Sequence, residues 1–167
     1  MVKNRPVTTH KKAVISVFDG KPEQGYLNPQ TLGPAEAVEL LTRDGEHKAV
    51  PLRDVKAVYF VKEFTDPFEP DRKTFLSRPK LDGLWVRLRF RDGDEMEGLV
   101  SNNLVELLDK GIRLTPPDLH GNTVWVFIPQ SSLTEMKVLG VVGVARRAPR
   151  EKAAAAAAES QPKLFGE

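Results

Sequence analysis

Trp85, Arg87, Arg89 and Arg91 alternate with Val86, Leu88 and Phe90. In an extended chain this spacing puts one indole and three guanidinium groups on a single face. Guanidinium groups two residues apart can meet successive phosphates and an indole can stack a base, which is the chemistry of a single-strand-binding surface. The same spacing also suits a solvated strand whose charges discourage edge pairing. Asp92, Asp94, Glu95 and Glu97 follow at once and would neutralise part of the stripe. They can be read as a cation site or, more plainly, as a soluble hairpin tip. His10, His47 and His120 fall in expected loops or in the N-terminal arm, and none has a ligand at metal-binding spacing. The chain has no cysteine, which excludes disulfides, thiol nucleophiles and thiolate zinc sites. It also lacks a nucleophile elbow, a phosphate loop and a dinucleotide fingerprint. Neither catalysis nor a cofactor is expected.

The stripe belongs to a predicted hairpin over 83–100. Its first strand alternates up to Phe90, Asp92-Gly93 supplies the turn, and Met96 to Val100 returns with Gly98 as a bend. The element recurs earlier, where Val14 to Asp19-Gly20 leads to Gly25 as Leu88 to Asp92-Gly93 leads to Gly98. An offset of 73 relates the copies and also pairs Leu41-Thr42 with Leu114-Thr115. After a longer second loop the offset becomes 78, matching Val50-Pro51 to Ile128-Pro129, Val55 to Leu133 and Val58 to Met136. Apolar positions kept on both sides of an insertion point to a duplication.

Five segments follow. Residues 1–11 read as a flexible basic arm and 12–64 as a first unit, with strands at Val38 to Thr42, Lys48 to Leu52 and Val55 to Val61. Residues 65–82, with Pro67, Pro70 and Pro79, read as a connector; Phe64, Phe68 and Phe75 would hold it against the units. Residues 83–144 form a second unit. There Asn102 to Lys110 is a short helix or a strand extension, and Val124 to Ile128 is a strand covered on both faces. Residues 145–167, with six consecutive alanines, read as a disordered tail. Of 167 residues 40% are hydrophobic and 29% charged, the balance of a soluble chain, and no apolar run is long enough to span a membrane. A cytoplasmic location is the default expectation. The net charge of +2 is uneven: residues 13–145 hold 16 basic and 20 acidic residues, a net of −4. General polyanion binding by the body is therefore disfavoured, and attraction to nucleic acid must come from the termini or a local patch.

Each half resembles an Sm-like, SH3-type small barrel, in which a strand ending in Asp-Gly precedes a strand bent at Gly and an Ile-Pro-x-Ser-Ser-Leu segment comes near the end. Here these are Val86 to Leu99 and Val126 to Leu133, with a weaker copy at Ala49 to Val55. The whole chain also resembles a family of uncharacterised bacterial proteins. The resemblance implies a mainly β fold of two tandem Sm-like/SH3-like small barrels. It further implies RNA-binding loop positions at Asn102, Asn103, Gln130 and Ser131. The Tyr-Lys-His signature of the bacterial RNA chaperone is replaced by Trp125-Val126-Phe127, and ring assembly does not carry over. Arg146 and Arg150 match half of the PilZ signature for cyclic dinucleotides, without its second half. Gln161-Pro162-Lys163-Leu164-Phe165 resembles the peptide that docks proteins on the bacterial sliding clamp, with Gln161, Leu164 and Phe165 as its anchors. The expectation is a non-catalytic binding or adaptor protein whose partner is RNA, another single-stranded nucleic acid or a protein. A clamp-associated replication or repair accessory is the alternative, and a cyclic-dinucleotide receptor a third reading.

Overall fold

The computed structural model describes residues 9–107 and 109–143. They form a mainly β chain. Its strands are β1 (Lys11–Val17), β2 (Glu23–Leu27), β3 (Ala37–Thr42), β4 (His47–Pro51), β5 (Val55–Val61), β6 (Gly83–Phe90), β7 (Glu95–Val100), β8 (Gly111–Leu114), β9 (Thr123–Pro129) and β10 (Leu133–Val142). One helical turn, α1 (Leu104–Leu107), precedes β8. Seven strands pair in the order β4-β3-β2-β1-β5-β9-β8 and three in the order β10-β6-β7. Strand pairing closes no barrel among the described residues. Both sequence-predicted hairpins are present, and α1 resolves the ambiguity over 102–110 in favour of a helical turn.

The duplication holds pair by pair. Ala13 faces Gly25 and Ile15 faces Glu23, as Val86 faces Gly98 and Leu88 faces Met96, all at the offset of 73. Val17 faces Val55 and Ile15 faces Val58, as Phe90 faces Leu133 and Leu88 faces Met136. Even the bulge recurs, before Ala57 in one copy and before Glu135 in the other. Both bends need glycine because a neighbour fills the space of a side chain: a Cβ at Gly25 would lie 2.3 Å from the Leu41 carbonyl oxygen, and one at Gly98 2.3 Å from the Leu114 side chain. One alignment is corrected. Val38 faces Val50 and Leu40 faces Lys48, as Ile112 faces Ile128 and Leu114 faces Val126, so the third strands correspond at an offset of 74 and Leu40, not Leu41, matches Leu114. A slip of one residue exchanges the faces of a strand, and burial selects Leu40 and Leu114 together. β7 and β8 share only the bridge between Leu99 and Thr115, the counterpart of Tyr26 with Leu41. The next position is Pro116, which has no N–H to donate.

The halves are fused by strand pairing. β5 bonds β1 on one side and β9 on the other, with Val58 opposite Phe127 and Phe60 opposite Trp125. Side chains then divide by the two-residue period: Ala13, Ile15, Val58 and Phe60 pack with Leu27, Val38 and Leu40, whereas Val14, Ala57, Tyr59 and Val61 pack with Val86, Leu88, Phe90 and Leu114. The central strands of the first half are thus also a wall of the second core. The connector lies on the outside as expected, with Phe64 against Tyr26, Phe68 against Tyr59 and Phe75 against Trp85 at ring separations of 5.5, 5.2 and 6.0 Å.

A charge cluster closes the same junction. Lys56 on β5 donates to Asp92 at 2.7 Å and to Asp94 at 2.9 Å in the β6–β7 turn, and Lys73 of the connector donates to Asp94 at 2.8 Å. The Lys56 hydrogen bond holds Asp92 below the usual carboxylate range against the opposing effect of burial. Burial also pushes Asp94 upward, but Lys73 and Lys56 together hold it low. Burial disfavours the Lys56 ammonium, and its two carboxylate partners more than offset this, raising its pKa. Tyr59 beneath them is pushed up to about 12, by burial first and then by the Asp94 charge. Carboxylates lowered in the folded state contribute stability that is present above their ordinary value of 3.8 and lost as pH falls through the lowered value. A raised lysine contributes stability that is present below 10.5 and lost as pH rises through the raised value. Lys56→Met should therefore be less stable than the native protein near neutral pH. The gap, measured by urea unfolding across pH, should narrow both below about pH 4 and above about pH 10.5. A gap independent of pH would mean that the lysine stem, not its charge, joins the halves.

Candidate functional site

The arginine stripe lies on β6, and the return strand meets its charges in register. Arg87 pairs with Glu97 at 3.3 Å, and Arg89 with Glu95 at 2.8 Å and Glu135 at 3.6 Å. Glu97 is only 6% exposed and also accepts the backbone N–H of Phe75 at 2.9 Å, which ties the connector to the sheet. Arg91 turns toward the first half, where its guanidinium sits 4.0 Å from the Phe18 ring centroid and donates to the Arg53 carbonyl. Trp85 is half-buried against Phe75, and its indole N–H has no hydrogen-bond partner among the described residues. Asp92 and Asp94 serve Lys56 and Lys73 and leave the stripe to Glu95 and Glu97.

Two of the four loop positions bond α1. Asn103 accepts the Val105 N–H at 3.1 Å and donates to Glu106, so it caps the helical turn. Gln130 donates to the Leu107 carbonyl at 2.8 Å, while Asn102 and Ser131 are exposed. Asn103 and Gln130 therefore hold α1 from two sides. Gln161, Leu164 and Phe165, and Arg146 with Arg150, lie outside the described residues.

A different cluster forms where the halves meet. Phe60 and Trp125, directly opposed on β5 and β9, stack with ring centroids 4.1 Å apart and planes 12° apart. Arg113 projects from β8, and its guanidinium lies 4.2 Å from the Trp125 ring centroid. Across the groove stand Lys12 and Tyr26, opposed on β1 and β2, with Lys11 and His10 beside them. Together these residues line a cleft of about 850 Å³ whose walls are chiefly apolar. Its charged lining groups are all cationic. Lys12 is held by Glu63 at 3.1 Å, whereas Lys11 and Arg113 make no ion pair among the described residues.

Burial explains why such a site persists. The run from Val124 to Ile128 was expected to be covered on both faces, and Val126, Phe127 and Ile128 are. Val124, however, is 52% exposed and Trp125 half-buried, because the first half covers only part of β9. Tyr26 is 36% exposed on the opposite wall. Tyr26 and part of Trp125, whose faces are taken by Phe60 and Arg113, thus remain accessible beside cations that make no ion pair among the described residues, an arrangement suited to a planar, negatively charged ligand. Sequence reasoning did not single out Lys11, Tyr26, Arg113 or Trp125, since no periodicity links β1, β2, β8 and β9.

Among the described residues no helix is long and apolar enough to cross a membrane. No curated protein matches the chain. No solved structure matches it. The model of the Family of unknown function (DUF6982) matches residues 9–140, most of the chain, and the protein belongs to that family.

Proposed function

We propose that this is a non-catalytic binding protein built on two tandem Sm-like, SH3-like halves, and that it holds single-stranded nucleic acid in the cleft at the junction of the halves. The fold reading is supported by the order of the strands. In each half the fifth strand pairs with the first and a short 3-10 turn separates the fourth from the fifth, at 52–54 and 130–132. The halves share a wall, which accounts for sheets in place of two closed barrels.

One observation carries the ligand: the cleft offers the partly exposed Tyr26 ring and the Arg113 guanidinium that lies over Trp125, together with Lys11, and neither cation has an acidic partner among the described residues. A base would stack on the Tyr26 ring or on the outer face of the Arg113 guanidinium, and phosphates would meet the cations, a mode tolerant of sequence. The arginine stripe supports binding less well, because Glu97 and Glu95 already take its first two guanidinium groups. Because the body carries a net charge of −4, affinity should be modest and confined to the cleft.

Fluorescence anisotropy with a short labelled single strand tests this. Arg113→Glu and Lys11→Glu should each weaken binding, and the slope of log K against log salt should fall by roughly 0.7 for each phosphate no longer neutralised. Arg89→Glu should leave binding unchanged. Loss of binding in Arg89→Glu with none in Arg113→Glu would move the site to the stripe, and no binding at low salt would end the nucleic-acid reading.

The sequence Gln161-Pro162-Lys163-Leu164-Phe165 favours a second reading, docking on a bacterial sliding clamp. Leu164 and Phe165 would fill an apolar pocket with Gln161 at its rim. A peptide of residues 156–167 should then bind purified clamp with a micromolar Kd, about −8 kcal/mol, and Leu164→Ala with Phe165→Ala should abolish it. A titration to about millimolar peptide, where binding is worth only about −4 kcal/mol, with no signal would refute docking.

A further inference from the structure

A second cavity, of about 640 Å³, adjoins the cleft, and Arg113 and Trp125 line both. Leu32, Leu99, Leu107, Ile112 and Phe127 supply its apolar wall. The two differ in charge. The cleft has only cationic charged groups, whereas this cavity sets Asp82, Glu106 and Asp109 against Arg113 alone. Glu106 accepts from Asn103 at 3.3 Å and Asp109 from the Lys110 backbone N–H at 2.8 Å. Neither of these two carboxylates makes an ion pair among the described residues. Apolar walls combined with carboxylates suit an arginine side chain, which has an apolar stem and a planar cationic head.

The described chain ends beside this cavity. Val142, the last residue of β10, pairs with Gly83 of β6, and the next residue of β6, Leu84, pairs on its other side with Val100, which lines the cavity. A Cβ on Gly143 would lie 2.5 Å from a carboxylate oxygen of Asp82. Beyond Gly143 the sequence runs Val144-Ala145-Arg146-Arg147-Ala148-Pro149-Arg150-Glu151-Lys152. Three residues span at most about 10 Å and adjacent strands lie about 4.8 Å apart, so Arg146 and Arg147 can reach a wall two strands away. We propose that this cavity seats the chain's own segment 144–152, with the guanidinium groups of Arg146 and Arg147 against Glu106 and Asp109 and their stems against Leu99 and Leu107. The cavity lining carries a net charge of −2 and the segment a net charge of +3. The seat does not rest on what the cleft binds, and it leaves residues 161–167 outside it.

The absence of cysteine lets paired thiols test this in the full chain. Ser101 is exposed and lines the cavity, whereas Val141, 65% exposed, lies outside it and nearer in sequence to the segment. An unseated chain closes the shorter loop more readily, so Val141→Cys with Ala148→Cys would oxidise faster than Ser101→Cys with Ala148→Cys. A seated segment reverses that order, and the Ser101 pair should close at least about tenfold faster because the seat raises the effective concentration of the two thiols. Arg146→Glu with Arg147→Glu should remove the reversal, as should high salt. Glu106→Gln with Asp109→Asn should do the same from the other side, and both of these residues are exposed, so the core stays in place. Faster closure through Val141, or a Ser101 rate that neither pair of charge changes alters, would overturn the proposal. So would a disulfide that forms only between chains, which would put the segment on a second copy.

Discussion

β5 has a hydrogen-bonded neighbour on each side and a core on each face, and the rest of the structure depends on that double engagement. A strand so placed must be apolar at nearly every position, and Val55 to Val61 is interrupted only by Lys56. That one lysine lies at the bulge and reaches Asp92 and Asp94. Charge appears where the two-residue alternation breaks, and it binds the other half. Removing water from both faces of one strand couples the cores, because repacking either moves a shared backbone. The connector fits the same scheme, with Phe68 on Tyr59, Phe75 on Trp85, and Asp71 accepting the Thr123 N–H at 2.8 Å at the start of β9.

The same fusion makes the cleft. Two equivalent halves joined through unlike edges cannot cover each other completely, and β9 emerges from the contact with Val124 and Trp125 still accessible. The cations around them come from both halves, Lys11 and Lys12 from β1 and Arg113 from β8. A half alone would present either the tryptophan or the lysines. Ligand binding in this account is a property of the junction, which is why a chain with an acidic body can still offer a local site for an anion.

Much of this architecture was legible because β periodicity and glycine position are local signals. Gly25 and Gly98 mark bends whose close contacts admit no side chain, and Val55 to Val61 has the bounds read from composition. The alignment of the third strands went astray by one residue because the repeated Leu-Thr pair matched by identity, whereas the fold matches by which side faces the core. The pairing of β5 with β9 left no local trace, since Val124 to Ile128 read as covered on both faces without naming what covers it and Val55 to Val61 read only as the strand closing the first unit. The stripe was legible as a face, but its neutralisation by Glu95 and Glu97 depends on cross-strand register. The cleft could not be assembled in advance, because its residues come from four strands brought together by that pairing.

Amide hydrogen exchange along β5 tests the fusion most directly. Ala57 and Tyr59 turn their main-chain groups to β1, and Val58 and Phe60 turn theirs to β9, so alternate amides report the two contacts separately. If the shared strand makes one cooperative unit, Val58 and Phe60 exchange only through global unfolding, with the same opening free energy as Ala57 and Tyr59. Exchange of Val58 and Phe60 at a distinctly lower free energy, with Ala57 and Tyr59 still protected, would show the halves parting as separate units and would contradict the account.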